Sequence, residues 1–341
     1  MLVLFWFYYD GFLNEYNFTP KKEFHLIIKL IIFVLLKFNK LKQNLMKKYP
    51  FLILTFLIVN RTGFSQINIL HEKIEKIVKS KRATVGVGVL NFENGDTLTF
   101  NGKGHIPMQS VFKFHLALAV LNQVDKGKFT LNQNIFVSKA DLIPNLYSPM
   151  REKYPEGNVN LPLSEIIKFT VSQSDNSGCD LLFKLIGGTE IANKFIHKIG
   201  VKDVEILDPE VRIQNDWNLQ YRNYSTPYAA VQLLQKFHKQ PILSKSSQDF
   251  LYKIMVETST GLNKIKGLLP KNAIVAHKTG FSGKNKEGLT GGTNDIGIIT
   301  LPNGKQLAIA VFVSNSMEDE ITNDKMIAEI ALAVWDYYLG K

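Results

Sequence analysis

Pro107-Met108-Gln109-Ser110-Val111-Phe112-Lys113-Phe114-His115-Leu116-Ala117-Leu118-Ala119-Val120-Leu121 is the stretch around which the chain is organised. It sets a serine at the mouth of a helix whose following residues are apolar on almost every side, and a helix apolar all round belongs in the interior of a protein. Ser110 and Lys113 lie three residues apart, on one helix face and within reach of each other. Among Phe112, Phe114 and Leu116 the Lys113 amine is expected to be pushed toward its neutral form by desolvation, ready to take a proton from Ser110. No other serine of the chain has a lysine three residues later.

Upstream, Ile67, Ile69, Leu70, Ile74, Ile77 and Val78 recur at helical spacing and predict a helix over residues 67–81. Val85, Val87 and Val89 alternate with glycines, and Asn94-Gly95 precedes Thr97-Leu98-Thr99-Phe100, the pattern of a strand, a tight turn and a second strand. Downstream, residues 131–240 read as helices separated by irregular polar stretches, with 163–171, 180–185 and 190–199 helical. Asp208 to Ser225 has no clear period and is expected to form a long ordered loop of the functional kind. Thr226-Pro227 opens another helix with an N-cap and a proline at the first position. A further helix covers 248–256. Strand patterns then return over 273–279, 295–301 and 306–313, and 328–338 closes the chain as an amphipathic helix. Strands at both ends with helices between predict an α/β (α+β) fold: a five-stranded antiparallel sheet covered by terminal helices, with an all-helical domain inserted. The expected boundaries are 66–130 with 257–341 for the sheet domain and 131–256 for the insert.

The 341 residues, 45% of them apolar, suffice for a large core. The formal charge of +11 gathers at the front: residues 1–65 hold nine Lys/Arg and three Asp/Glu, which leaves 32 against 27 for the rest. That is an ordinary basic surface, and no nucleic-acid partner is expected. Met46-Lys47-Lys48-Tyr49 and the apolar run from Pro50 to Val59 have the layout of a secretory signal over 46–65, which predicts export to the periplasm or medium with a mature start near Gln66. The run is shorter than the ~18–20 residues of a spanning helix, so no stable membrane anchor is expected after cleavage. Residues 1–45 read as a spurious N-terminal extension; the alternative is an anchor from Leu26 to Leu36, interrupted by Lys29. Cys179 is the single cysteine, so no internal disulfide forms. The histidines show no ligand spacing, and neither a metal nor another cofactor is predicted.

Two more tripeptides, each occurring once, complete what Ser110 and Lys113 begin: Ser174-Asp175-Asn176 between two predicted helices and Lys278-Thr279-Gly280 at the end of a strand. In this order they are the motif set of the penicillin-recognising serine acyl-transferases. From Gln66 to Lys341 the chain resembles the class A serine β-lactamases among them. The resemblance implies a β-lactamase/transpeptidase-like fold, β-lactam substrates, a monomer, and roles residue by residue. Ser110 would be the acylated nucleophile and Lys113 a proton acceptor or relay. Ser174 would pass a proton to the leaving nitrogen, Asn176 hold the substrate amide, and Lys278 and Thr279 its carboxylate. The backbone N–H groups of Ser110 and Phe281 would bind the oxyanion. Glu210, in Pro209-Glu210-Val211-Arg212-Ile213-Gln214, matches part of the family's deacylation motif and would be the base that activates water, with Gln214 as the water's second ligand.

The chain departs from the family at several points. Where an arginine and an aspartate usually pin the loop, Asp208 and Asn223 stand here, so the loop is expected to be held otherwise, with Trp217, Tyr221 and Tyr224 packing it down. Phe281 replaces a hydroxyl residue after Gly280, and Ser282 is the candidate replacement donor. With no arginine on the next strand, Lys264 is the candidate second cation for the carboxylate. Tyr147 resembles the aromatic at the rim of the site, and a packed loop tyrosine is the alternative. These features resemble the branch with an enlarged, cephalosporin-tolerant site. The rival activities are a penicillin-binding D,D-peptidase and a β-lactam-sensing domain that is acylated without turnover.

Overall fold

The valine–glycine alternation after residue 84 decides how the first strand is used. We describe the protein from a computed structural model, in which residues 68–340 and Lys37 are described. The valines of that strand point into a cluster with the terminal helices, while Gly88 lies so close to Pro227 that a Cβ there would stand 2.5 Å from the Pro227 carbonyl oxygen. One face of the strand therefore builds core, and the bare other face admits a helix.

In chain order the elements are α1 (68–78), β1 (Thr84–Asn91), β2 (Thr97–Phe100), β3 (Ile106–Pro107) and α2 (Phe112–Asp125). Then come β4 (Asn134–Val137), α3 (Pro149–Lys153), β5 (Val159–Pro162), α4 (Leu163–Ser172), α5 (Asn176–Ile186) and α6 (Thr189–Lys198). They are followed by β6 (Val204–Glu205), α7 (Glu210–Asn215), β7 (Tyr224–Ser225), α8 (Pro227–Lys239) and α9 (Lys245–Val256). The chain closes with β8 (Ile274–Phe281), β9 (Thr290–Thr300), β10 (Gln306–Ser316) and α10 (Glu320–Leu339).

The main sheet has five strands in the order β2-β1-β10-β9-β8, antiparallel throughout. Its outer face carries Val87, Val311 and Ile299 against Leu70 and Ile74 of α1 and Ile327, Ile330 and Val334 of α10. Its inner face, with Ala276, Ile298 and Phe312, joins a core shared with the helices that lie between β3 and β8 in the chain. Helix α2 runs through that second core with every residue from Phe112 to Leu121 buried. Each large aliphatic or aromatic side chain buried there stabilises the fold by about 1.5–3 kcal/mol, which makes α2 a rigid mount for whatever stands at its start.

The differences from the sequence reading are local. Helices dominate 131–256, but two short ladders, β4 with β5 and β3 with β7 and β6, are added. Strand β9 begins at Thr290, because Thr290-Gly291-Gly292-Thr293-Asn294 is buried without being apolar. Helix α10 begins at Glu320, where the Asp319 carboxylate caps the amide of Thr322 at 2.6 Å; its first turns lack an apolar stripe that would show in the sequence. The expected signal segment and the possible anchor before it fall outside the described residues.

Candidate active site

Ser110 sits in a single turn of 3₁₀ helix, Gln109–Val111, that leads directly into α2. Gln109, just before it, holds φ at +50°, a left-handed conformation that costs a non-glycine residue about 1 kcal/mol or more and marks a site where the surroundings dictate the backbone. Ser174, the other hydroxyl, is held the same way at φ +58°.

The Lys113 ammonium is wholly buried and gathers the site. Its Nζ donates to Ser110 Oγ at 2.8 Å and to the Ser174 carbonyl at 2.9 Å, also to Asn176 Oδ1, and lies 2.8 Å from a carboxylate oxygen of Glu210. The sequence reading placed this amine among apolar side chains; the apolar residues surround its stem, and its head is in a nest of oxygens. Ser110 Oγ also stands 3.4 Å from Glu210 Oε1, so the serine hydroxyl faces both members of the Lys113–Glu210 pair. Opposite, Lys278 Nζ donates to Ser174 Oγ at 3.0 Å and to the Thr279 carbonyl at 2.8 Å. Complete burial, and then the nearby Lys113 charge, push the Lys278 ammonium well below the ordinary lysine range, while the Asp295 and Glu210 carboxylates oppose that push.

Gly280 brings β8 against the nucleophile. A Cβ there would stand 2.6 Å from the Met108 carbonyl oxygen and 3.1 Å from the Ser110 amide nitrogen. Only a bare backbone allows this approach of the end of β8 to the turn that carries Ser110.

Ser110 forms part of the wall between two spaces. On one side is a cleft of about 450 Å³ lined by Tyr147, Ser174, Asn176, Thr279, Phe281 and Lys264, among others. On the other is a smaller recess of about 220 Å³ where Glu210 and Gln214 meet Ser110, Asn176 and Phe281. Tyr147 is exposed at the rim, and its carbonyl accepts from the Asn176 amide at 3.0 Å. Lys264 lines the cleft, but its ammonium is shared with the Asp324 carboxylate and, at 3.0 Å, with Thr293 Oγ1. Ser282 Oγ donates to the Gly283 carbonyl at 2.8 Å and accepts from the Gly292 amide at 3.1 Å, at the edge of the recess.

The loop bearing Glu210 is held by the residues that replace the usual pinning pair. Asp208 is completely buried, 2.8 Å from an Arg212 nitrogen and 3.3 Å from Arg222 Nε. Asn223 accepts from the amides of Leu207 and Asp208 at 2.8 and 3.0 Å and donates to the Asp208 carbonyl at 2.7 Å. Within the loop, residues read as irregular form the short helix α7 and a 3₁₀ stretch from Trp217 to Arg222. Of the aromatics, Tyr221 donates to Asn315 Oδ1 at 2.7 Å and Tyr224 stacks on His105.

Two carboxylates with no assigned role in the sequence reading order this region. Asp175 accepts from Ser148 Oγ and from the amides of Met150 and Gly178, tying the Tyr147 loop to the start of α5. Asp180 accepts from the amides of Glu210 and Val211 at 2.7 and 2.9 Å and so fixes the first turn of α7. It lies one helical turn after Asn176, a spacing that puts both on one face of α5. Burial, and then the Glu210 charge, raise Asp180 to about 6. Unfolded, Asp180 loses its proton near the ordinary 3.8; folded, it keeps the proton until about 6. Between those values the unfolded chain binds fewer protons, so stability falls as pH rises, by about 3 kcal/mol in all. Asp180→Asn is expected to lose this slope between pH 4 and 6, as chemical-denaturation curves of both proteins across that range will check.

Residues 69–338 match the model of a family described as the beta-lactamase enzyme family. Beta-lactamase VEB-1 of Pseudomonas aeruginosa is 45% identical over 88% of this chain and its own entire length. The extended-spectrum beta-lactamase PER-1 of Pseudomonas aeruginosa is 42% identical over 84% of this chain and 94% of its own. Among solved structures, the TLA-1 extended spectrum beta-lactamase superposes with a TM-score of 0.79 at 54% identity, over 80% of this chain and 99% of that one.

Proposed function

Since this chain belongs to the beta-lactamase enzyme family, as a class A enzyme that hydrolyses the β-lactam amide through a serine acyl-enzyme and so gives antibiotic resistance, we propose that Ser110 is the residue acylated and Glu210 the base that frees it. The observation that carries this reading is the position of Ser110 Oγ, 2.8 Å from Lys113 Nζ and 3.4 Å from Glu210 Oε1, between the cleft and the recess.

Ser110 Oγ attacks the β-lactam carbonyl from the cleft, and its proton passes to the Lys113–Glu210 pair. The oxyanion is held by the backbone amides of Ser110 and Phe281, donors carried by the main chain that need little reorganisation as charge develops. The ring C–N bond breaks, the nitrogen takes the Ser174 proton, and the proton taken from Ser110 is passed on to Ser174, which leaves Glu210 free again; Lys278 Nζ, donating to Ser174 Oγ from 3.0 Å, holds that hydroxyl in place. Asn176 holds the side-chain amide, while Lys278, Thr279 and Lys264 hold the carboxylate. A water in the recess, oriented by Glu210 and Gln214, gives its proton to Glu210 and attacks the acyl carbon. The tetrahedral adduct collapses, and Ser110 leaves with the proton that Glu210 took from the water, which restores both groups.

With the relatives named extended-spectrum, we assign this chain a site that admits cephalosporins with bulky amide side chains past Tyr147. We assign it also to the periplasm or medium, exported through the segment near 46–65 and active as a monomer. Among the described residues no helix is long and apolar enough to cross a membrane. Steady-state kinetics on purified protein test the substrate range. A bulky-side-chain cephalosporin is expected to have a kcat/KM within about tenfold of benzylpenicillin's, the scale on which a pocket discriminates by apolar fit. A value roughly a thousandfold lower would contradict the enlarged site.

A further inference from the structure

Successive residues of a strand point to opposite faces, so where Lys278 faces Ser174 its neighbour His277 goes through the other side of the sheet. There, fully buried, His277 Nδ1 lies 3.0 Å from both carboxylate oxygens of Asp295 on β9, also fully buried. The ring has room because its register partner is Gly297, where a Cβ would stand 2.9 Å from His277 Cβ. The Asp295 carboxylate has a second bond: it accepts the backbone N–H of Ile265 at 3.1 Å. Ile265 follows Lys264, and His277 precedes Lys278. One buried carboxylate thus ties together the two backbone segments that present those two lysines.

We propose that His277 and Asp295 are positioning residues for the substrate carboxylate: Asp295 fixes β8 through His277 and the 258–267 segment through the Ile265 amide, so that Lys278, Thr279 and Lys264 converge on one anion. The inference rests on the assignment of those three residues to the carboxylate. Three features support it. Burying polar groups such as these costs desolvation, and replacing a buried polar pair by an apolar one of like volume is often neutral or stabilising, so stability alone gives no reason for the pair. The Asp295 charge opposes the burial and the Lys113 repulsion that together work against a cationic Lys278. The same stretch is braced again by Thr258, whose hydroxyl donates to the His277 carbonyl at 2.8 Å, and by Thr260, whose hydroxyl lies 2.7 Å from that of Thr279.

A cephalosporin and its methyl ester, the same molecule without the anion, read this role out in the full-chain enzyme. The wild type is expected to favour the acid in kcat/KM by roughly a hundredfold, as charge-assisted bonds to a buried anion site imply. Asp295→Asn is expected to lower kcat/KM for the acid by about ten- to a hundredfold, mainly through KM, and for the ester by less than about threefold. His277→Gln, which keeps an N–H for Asp295, is expected to fall less than His277→Leu, and it reads the role independently if Asp295→Asn fails to fold. Equal losses on acid and ester in the folded variants, or an unchanged acid preference, overturn the inference and leave the carboxylate site standing. A wild type with no preference for the acid overturns that site and the inference with it.

Discussion

Replacing Glu210 by glutamine is expected to turn the enzyme into a reagent that reacts once. Mixed with a chromogenic cephalosporin, Glu210→Gln should release about one equivalent of product per Ser110 and then slow by ~10²–10⁴-fold, the range that a positioned general base contributes. The reason lies in the recess. Glutamine keeps the shape and can still orient a water toward the acyl carbon, but its amide takes no proton from it. Acylation draws on Lys113 as well, and Lys113 keeps Ser110 Oγ, Asn176 and the Ser174 carbonyl as partners in the variant. Stopped-flow absorbance separates the two phases. A burst followed by collapse assigns deacylation to Glu210; a slowed burst in addition would show that the carboxylate also receives the Ser110 proton. An unchanged steady state would remove Glu210 from the mechanism.

Lys113→Ala is expected to be as severe and to act on both halves of the reaction. Its ammonium meets four oxygens, among them the Glu210 carboxylate at 2.8 Å, and its side chain is completely buried. Taking it away leaves the Glu210 charge without its partner, at a cost of about 3–5 kcal/mol for a pair broken from one side. A fall of about 10³-fold or more in kcat/KM is expected, with a clear drop in Tm. Lys113→Arg should not rescue activity, since a planar guanidinium cannot enter the space of a compact ammonium among fixed acceptors. Parallel kinetics and thermal melts on the three proteins check this.

Much of the site was legible because its chemistry is carried by short stretches at fixed local geometry. Ser110 and Lys113 share a helix face by spacing alone, and an apolar run such as Phe112 to Leu121 has no place except inside. The five strands were legible where valines and isoleucines alternate. The start of β9 was not, since its burial rests on hydrogen bonds from polar side chains such as Asn294, which donates to the Pro107 and Met108 carbonyls. Long-range polar partners were the other illegible part. Nothing local marks Asp180 as the acceptor for the first turn of α7, Asn223 as the clasp around Asp208, or Asp295 as the tie between β8 and the 258–267 segment. These are single polar residues whose meaning depends on a neighbour 15 or more residues away. Lys264 and Ser282 show the same limit: their place beside the cleft could be read, whereas Asp324, Thr293 and Gly283, with which the fold pairs their polar atoms, could not.

Rapid-quench peptide mass mapping tests the central claim most directly. Glu210→Gln is mixed with a β-lactam, quenched in acid within the burst, digested and analysed beside the wild type. The account predicts that the peptide containing Ser110 gains the mass of the intact substrate at about one per molecule and loses it slowly, while in the wild type the same adduct is scarce at every time. An adduct on any other residue, or continued turnover with no adduct on Ser110, would contradict it.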